Sequence, residues 1–279
     1  MFLSIAPNAN GANAILAART PIAQTVADGA SHLGFHKVYV PDFCDSNSRP
    51  DGPGAYFAAG FSYLLEHNAK DFSVVSRVDA HRFLLENHWT DCDLTRREVV
   101  QKFVDAMGAD AFLTGSVTSE KDYFHVDLVL RDASGKERIH CVYDERYYPE
   151  TIGSFPASAS SAGWPFYFAL LDGVTFPKPV KTPGPAYPNY KVVRLSGTVV
   201  ISMMITTDGS VEETRVVQRM DPDIDGDMLK MVKNWQFEPA KGADGKAVPT
   251  RLVMRFQLGA RAAPGIRPQA QYPEDRPHP

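Results

Sequence analysis

The stretch GTVVISMMITTDGSVEETRVV, residues 197–217, leaves a chain little freedom. Val199, Ile201, Met203 and Ile205 alternate with other residues, which puts them on one face of a strand, because successive side chains of an extended chain point to opposite sides. Asp208-Gly209 then supplies a tight turn, and a second β-rich run follows, so the segment predicts a hairpin with one face buried. A hairpin alone is marginal in water, so more structure must cover that face.

The cover is legible downstream. Ile224, Met228, Val232 and Trp235 recur at helical spacing and predict one amphipathic helix. A turn at Asp244-Gly245 precedes TRLVMRFQL, residues 250–258, where Leu252, Met254, Phe256 and Leu258 point inward and Arg251 and Arg255 outward. Two strands, a helix and a strand make a small α+β sandwich over residues 184–258.

The start of that helix carries four aspartates, in MDPDIDGDMLK. Asp221, Asp223, Asp225 and Gly226 match the front of a calcium loop, which needs oxygen ligands at alternate positions and a glycine for the turn. The twelfth position should be a bidentate carboxylate and is Val232, and Pro222 stiffens a residue that must wrap the ion. The helix-start reading is favoured, with Asp225 as cap and Asp227 in the first turn, where the helix dipole favours negative charge by about 0.3–1 kcal/mol.

Residues 31–150 alternate strand and helix signals and predict a mixed α/β domain. HKVYVPDF reads as a strand stopped by Pro41, and CDSNSRPDGPG as a loop. GAYFAAGFSYLLEHNA reads as a helix with Phe57, Phe61, Leu64 and Leu65 inward. FSVVSR is a second strand, and VDAHRFLLENHW a helix capped by Ser76 with Phe83 and Leu84 inward. Thr95 and Glu98 predict a capping box for a helix that runs through Val99, Phe103 and Met107 to Gly108. AFLTGSV, YFHVDLVL and ERIHCVY follow as strands, the last two joined by a turn at Asp132 to Gly135. Residues 1–30 are expected as a tail, whose MFLSIAPNANGANA is the stub of a leader or a frayed end. Residues 151–183 are expected as a flexible linker carrying one aromatic segment, Trp164, Phe166 and Phe168, which packs back on a neighbouring domain in the favoured reading and forms a membrane-surface or partner patch in the alternative; residues 259–279 are expected as a disordered tail.

Chemistry-bearing motifs are few. Gly60-Phe61-Ser62 lacks the second glycine of a nucleophile elbow and lies inside a helical pattern. His67, His81 and His88 show no metal-ligand spacing, so a surface role is expected for each. Pro53 removes a backbone donor where a phosphate loop would need one. The reading is a non-enzymatic protein without a cofactor. With 44% hydrophobic residues, 22% charged and a net charge of -4, the chain has no basic field to draw nucleic acid. No apolar run nears the roughly 20 residues that a membrane span requires. Cys44, Cys92 and Cys141 stand far apart; one disulfide with a spare thiol, or three reduced thiols, both fit.

Residues 183–258 resemble the TonB C-terminal domain family. The motifs that carry the resemblance are a Pro-x-Tyr start at Pro185, Ala186 and Tyr187, the hairpin with Gly197, Asp208 and Gly209, aspartates just before the helix, and a Trp-x-Phe-x-Pro ending at Trp235, Phe237 and Pro239. The resemblance supports the helix cap over the calcium loop and implies a ββαβ fold, a periplasmic or cell-envelope location, and a partner protein in place of a metal or cofactor. It further implies that an extended peptide of an outer-membrane receptor adds along an exposed sheet edge. The matching edge comprises Thr250, Arg251, Leu252, Val253, Met254, Arg255 and Phe256, with the two arginines suited to an acidic peptide or serving to guard the edge against aggregation. Pairing of that edge with a second copy, giving a homodimer or scaffold, is the alternative. The first domain, through VYVPDF, FSVVSR and GADAFLTGSV, resembles the TolB amino-terminal or CsgG-type α/β domain. The chain shows no amino-terminal membrane helix and no long Pro-Glu/Pro-Lys spacer of an energy transducer, so direct coupling to an inner-membrane motor does not follow from the resemblance.

Overall fold

A computed structural model of the chain describes residues 9–44, 52–120, 122–146, 165–169, 171–184 and 197–258. Trp164, the Pro-x-Tyr residues 185–187 and the tail 259–279 lie outside them. The chain is mixed α/β, with an N-terminal unit built on a five-stranded sheet and a small C-terminal unit built on a three-stranded one.

The N-terminal sheet has the order β2-β1-β3-β4-β5, from β1 (Lys37–Tyr39), β2 (Ser73–Val74), β3 (Ala111–Ser119), β4 (Tyr123–Asp132) and β5 (Glu137–Arg146). Strands β1, β2 and β3 are parallel, and β3, β4 and β5 form antiparallel neighbours. The chain therefore leaves β1 to one side for β2 and returns past β1 to reach β3. Crossovers of one shared hand must then lie on opposite faces, and they do. Helix α2 (Gly52–Asn68) packs with Val38, Leu113, Val126 and Leu128, whereas α3 (Arg77–Glu86) and α4 (Arg97–Met107) pack with Tyr39 and Phe112 from the other face. The two faces draw on adjacent residues of the same strands, Val38 and Tyr39 in β1, Phe112 and Leu113 in β3, as the period of two requires.

Several local expectations are met and some are shifted. Ser76 caps α3, its hydroxyl accepting from the Asp79 amide at 3.4 Å, and Leu84 is fully buried. Gly108 closes α4 in the left-handed region at φ 70°, as a glycine C-cap should. The box expected at Thr95 and Glu98 does not form. A short 3-10 turn, Asp91–Thr95, uses Thr95, whose hydroxyl donates to the Cys92 carbonyl, and α4 starts after an extended Arg96. Reciprocal capping sits one turn earlier, where the Asp93 carboxylate accepts from the Thr90 amide at 2.8 Å. The loop expected up to residue 54 is shorter, because Gly52, Pro53 and Gly54 already begin α2.

The first residues are not a tail. Ala9–His32 forms α1, which packs beside α2 through buried Ala23, Val26, Ala27 and Ala30, a helical spacing that small alanines conceal. Arg19 is buried with it. Its guanidinium makes a two-pronged pair with Glu145 on β5, at 2.8 Å for each prong, and lies over the Phe57 ring at 4.0 Å. Gly60 makes the room, since a Cβ there would sit 2.4 Å from the guanidinium. Cys44 and Cys92 form a disulfide, leaving Cys141 free. Closing a loop of 48 residues stabilises the fold by about 4 kcal/mol in the chain-entropy account.

The C-terminal sheet has the order β10-β7-β8, from β7 (Gly197–Ile205), β8 (Val211–Gln218) and β10 (Thr250–Leu258), all antiparallel. Helix α5 (Pro222–Lys233) covers one face: Ile224, Met228 and Val232, followed by Trp235, meet Val199, Ile201, Met203, Ile205, Met254, Phe256 and Leu258. Each such side chain contributes about 1.5–3 kcal/mol by leaving water. The helix starts earlier than expected. Asp221, not Asp225, is the cap, its carboxylate accepting from the Asp223 and Ile224 amides at 3.0 and 3.1 Å, with Pro222 in the first turn, where its missing donor costs nothing. Asp225 is buried and accepts from the Met220 amide. The aspartates thus build a helix start. No helix among the described residues is long and apolar enough to cross a membrane.

The described part of residues 151–183 is docked rather than flexible. Phe166 and Phe168 enter the N-terminal core, and Tyr167, Ala169 and Val174 pack with Val78 of α3 and with Ala240 and Val248 of the C-terminal unit. Further on, β6 (Lys178–Lys181) pairs with β9 (Gln236–Glu238). Met204, on the sheet face away from α5, joins the N-terminal core.

Candidate functional site

The two edges of the C-terminal sheet differ. Strand β8 meets β7 with register shifts at Val200/Ile201 and Ser202/Met204, and Glu213 on it has φ 45°. Such bulges twist an edge away from further pairing. Strand β10 runs against β7 without a break, from Thr250 opposite Ile205 to Leu258 opposite Gly197. It is the regular edge.

Part of its outer flank is taken by the chain itself. Tyr167 runs parallel to the start of β10, its amide donating to the Pro249 carbonyl at 3.0 Å and its carbonyl accepting from the Arg251 amide at 2.8 Å. Because Arg251 points its main chain outward, Val253, Arg255 and Gln257 do so too. Among the described residues no main chain pairs with Val253 or Gln257 on that flank.

The sequence-predicted edge residues divide accordingly. Thr250 and Arg251 are buried and tied to Tyr167. Arg251, expected to face a peptide, lies under the Phe166 ring and pairs with Glu213 at 2.5 Å, and burial pushes its guanidinium below the usual range. It lies on the sheet face away from α5, and that face is covered. Leu252 packs against the core beneath α5, and Met254 and Phe256 lie within it. Arg255 is exposed, and Val253 is half-buried.

The residues expected to shape the hairpin and the helix ending make these contacts. Gly209 turns the hairpin at φ 84°, where an added Cβ would meet the Phe237 carbonyl oxygen. Asp208 accepts from Thr206 and from the Ser210 hydroxyl and amide, which lowers its carboxyl to about 2, the Thr206 hydrogen bond being the largest cause. Trp235 donates its indole N–H to the Pro183 carbonyl at 3.1 Å and packs on Phe237 and Phe256. Gly197 lies against Met220, and Pro239 follows β9.

A second cluster escaped the sequence reading. At the ends of β1 and β2 the chain buries Asp42, Arg77, His81 and Asp91 together. Arg77 pairs with Asp42 at 2.6 Å and with Asp172 at 2.5 Å. His81 Nε2 lies 2.9 Å from Asp91 Oδ2 and 3.8 Å from Asp42 Oδ2, and Tyr39 donates to Asp91 Oδ1 at 2.6 Å. The Tyr167 hydroxyl lies 3.3 Å from His81 Nδ1. His81, expected at the surface, is fully buried, while His67 and His88 are exposed. The signal was faint: Arg77, Ala80, His81 and Leu84 share one helical face, and two of the four are polar.

Comparison with known proteins adds the following. No curated protein matches the chain. The LpoB C-terminal domain from Salmonella enterica is similar at 14% identity, covering 46% of this chain and 95% of that one, with a TM-score of 0.36. Lipoprotein GNA1162 from Neisseria meningitidis is similar at 16% identity over 45% of this chain and 88% of that one, with a TM-score of 0.33. The solution structure of the Pseudomonas aeruginosa TonB C-terminal domain is similar at 26% identity over 33% of this chain and 90% of that one, with a TM-score of 0.25. The Gly197 hairpin, the aspartate-capped helix, Trp235 and the final strand all fall within residues 183–258, the span that matches the family model of the Gram-negative bacterial TonB protein C-terminal.

Proposed function

We propose that the protein is a binding component of a Gram-negative cell envelope that takes up an extended segment of a partner protein along β10. The observation that carries the reading is the unbroken register of β10 beside the bulged β8, which makes β10 the edge fit to template another strand. Tyr167 confines the docking length to the portion from Val253 onward. Main-chain hydrogen bonds would supply affinity there, and the exposed Arg255 would favour an acidic or polar guest. An outer-membrane receptor peptide is the partner that the match to the TonB C-terminal family suggests, with a role in TonB-type transport or energy transduction as its extension. The Cys44–Cys92 disulfide supports an oxidising compartment such as the periplasm. In this reading the N-terminal unit, expected to be of TolB amino-terminal or CsgG type, holds a second envelope partner.

The test uses the full chain with acidic extended peptides, followed by amide shifts. Binding should move the amides from Val253 to Leu258. Val253→Pro removes an outward donor without touching the β7 ladder, so it should weaken binding at least tenfold and leave the fold intact. Amides that stay put along β10 would refute the docking site. The same regular edge suits a second copy, and light scattering that finds a stable dimer, abolished by Val253→Pro, would favour the scaffold reading.

A further inference from the structure

We propose that Asp42, His81 and Asp91 form a binding site for a first-row transition-metal dication, zinc being the best fit. One ligand atom from each of the three lies within 4.8 Å of the others. The closest separations, 2.9 and 3.8 Å from His81 Nε2 to the two carboxylates, bracket the about 3.3 Å that tetrahedral ligands around zinc make with one another. One imidazole and two carboxylates suit zinc, whereas calcium or magnesium would call for six or more oxygens.

The atoms turned away from this point are held as a metal site requires. Asp42 Oδ1 is fixed by Arg77, Asp91 Oδ1 by the Tyr39 hydroxyl, and His81 Nδ1 by the Tyr167 hydroxyl. A histidine that binds metal through Nε2 carries its proton on Nδ1 and needs an acceptor there, which Tyr167 Oη provides. The disulfide joins Cys44, two residues beyond Asp42, to Cys92, next to Asp91, so the two carboxylate-bearing segments are tied together.

Burial adds to the geometry. Asp42, His81 and Asp91 are each 3% exposed or less, so the three ligand atoms face one another rather than water.

Burial could slow metal entry, so loading is done during folding. The full chain, with its disulfide intact, is unfolded with chelator present, refolded with or without zinc, desalted, and assayed for metal by mass spectrometry. One zinc per chain is expected, and cobalt in its place should give visible bands of a tetrahedral nitrogen and oxygen site that zinc abolishes. Asp91→Asn and His81→Gln should lose the metal, and Tyr39→Phe, which removes only a supporting hydrogen bond, should weaken binding about 10–100-fold. A His125→Gln/His140→Gln control should keep it, since those histidines sit on the exposed face of β4 and β5. Wild-type protein that retains no zinc and shows no cobalt bands overturns the proposal, as does undiminished zinc in a folded Asp91→Asn. Should Asp91→Asn or His81→Gln not fold, the wild-type cobalt spectrum and Tyr39→Phe decide alone.

Discussion

The two interiors of this chain are filled on different principles. The face of the C-terminal sheet beneath α5 is closed by an apolar cluster, Val199, Ile201, Met203 and Ile205 under Met228, Val232 and Trp235, while its buried pair, Arg251 with Glu213, lies on the other face. The N-terminal unit adds to its apolar core buried ion pairs, Arg19 with Glu145 and Arg77 with Asp42 and Asp172. An apolar interior tolerates exchange of similar volumes, whereas a charged one demands that every partner remain. The lesson is that the C-terminal unit is specified by pattern and the N-terminal unit by particular pairs.

The sharpest test of that contrast is Arg19→Met, which strands Glu145 in the core and should cost about 3–5 kcal/mol in chemical denaturation. Arg19→Met with Glu145→Leu should recover most of the loss; if it does not, the pair contributes through more than compensation of charge. Next in size, Met228→Ala empties part of an apolar core and should cost about 3 kcal/mol, while Met228→Leu should cost less than about 1.5 kcal/mol. Equal losses for the two would break the comparison from the other side.

Most of the C-terminal unit could be read in the sequence, because alternation, an Asp-Gly turn and helical spacing each leave a local mark on residues 197–258. The helix start was misplaced from Asp221 to Asp225 because four aspartates compete for one cap and only the Asp-Pro pair tells them apart. The N-terminal unit was legible in its strands and in α2 to α4. Helix α1 was hidden by alanine and by a buried arginine that looks like a surface residue. The cluster of Asp42, His81 and Asp91 could not be read at all, since its members meet only through the parallel strands and the crossover. The half-blocked edge of β10 was equally invisible, because Tyr167 is far from it along the chain.

A third prediction uses pH to separate the units. Burial first, then the Glu145 charge, pushes the Tyr143 phenol well above its usual range, with Arg19 opposing in part. A folded state that holds its proton more tightly is at full strength below the unfolded value of about 10 and weakens as pH rises past it. Tyr143 alone should contribute a fall of about 1.4 kcal/mol for each pH unit above about 10, with a delayed tyrosinate signal, and Tyr143→Phe should reduce the slope by that share while Tyr39 and Tyr167, also raised by burial, keep the rest. The smallest expected effect is Asp221→Ala, about 1 kcal/mol from a lost helix cap, read as a lowered melting temperature.

Tyr167 touches three things at once: the first residues of β10 through its backbone, the Val78 and Val248 contact through its ring, and His81 through its hydroxyl. On the docking proposal, a guest long enough to pair beyond Val253 toward Pro249 would have to evict this residue, and would thereby withdraw a hydroxyl from beside His81. Short and long guests would then leave that buried pocket in different states.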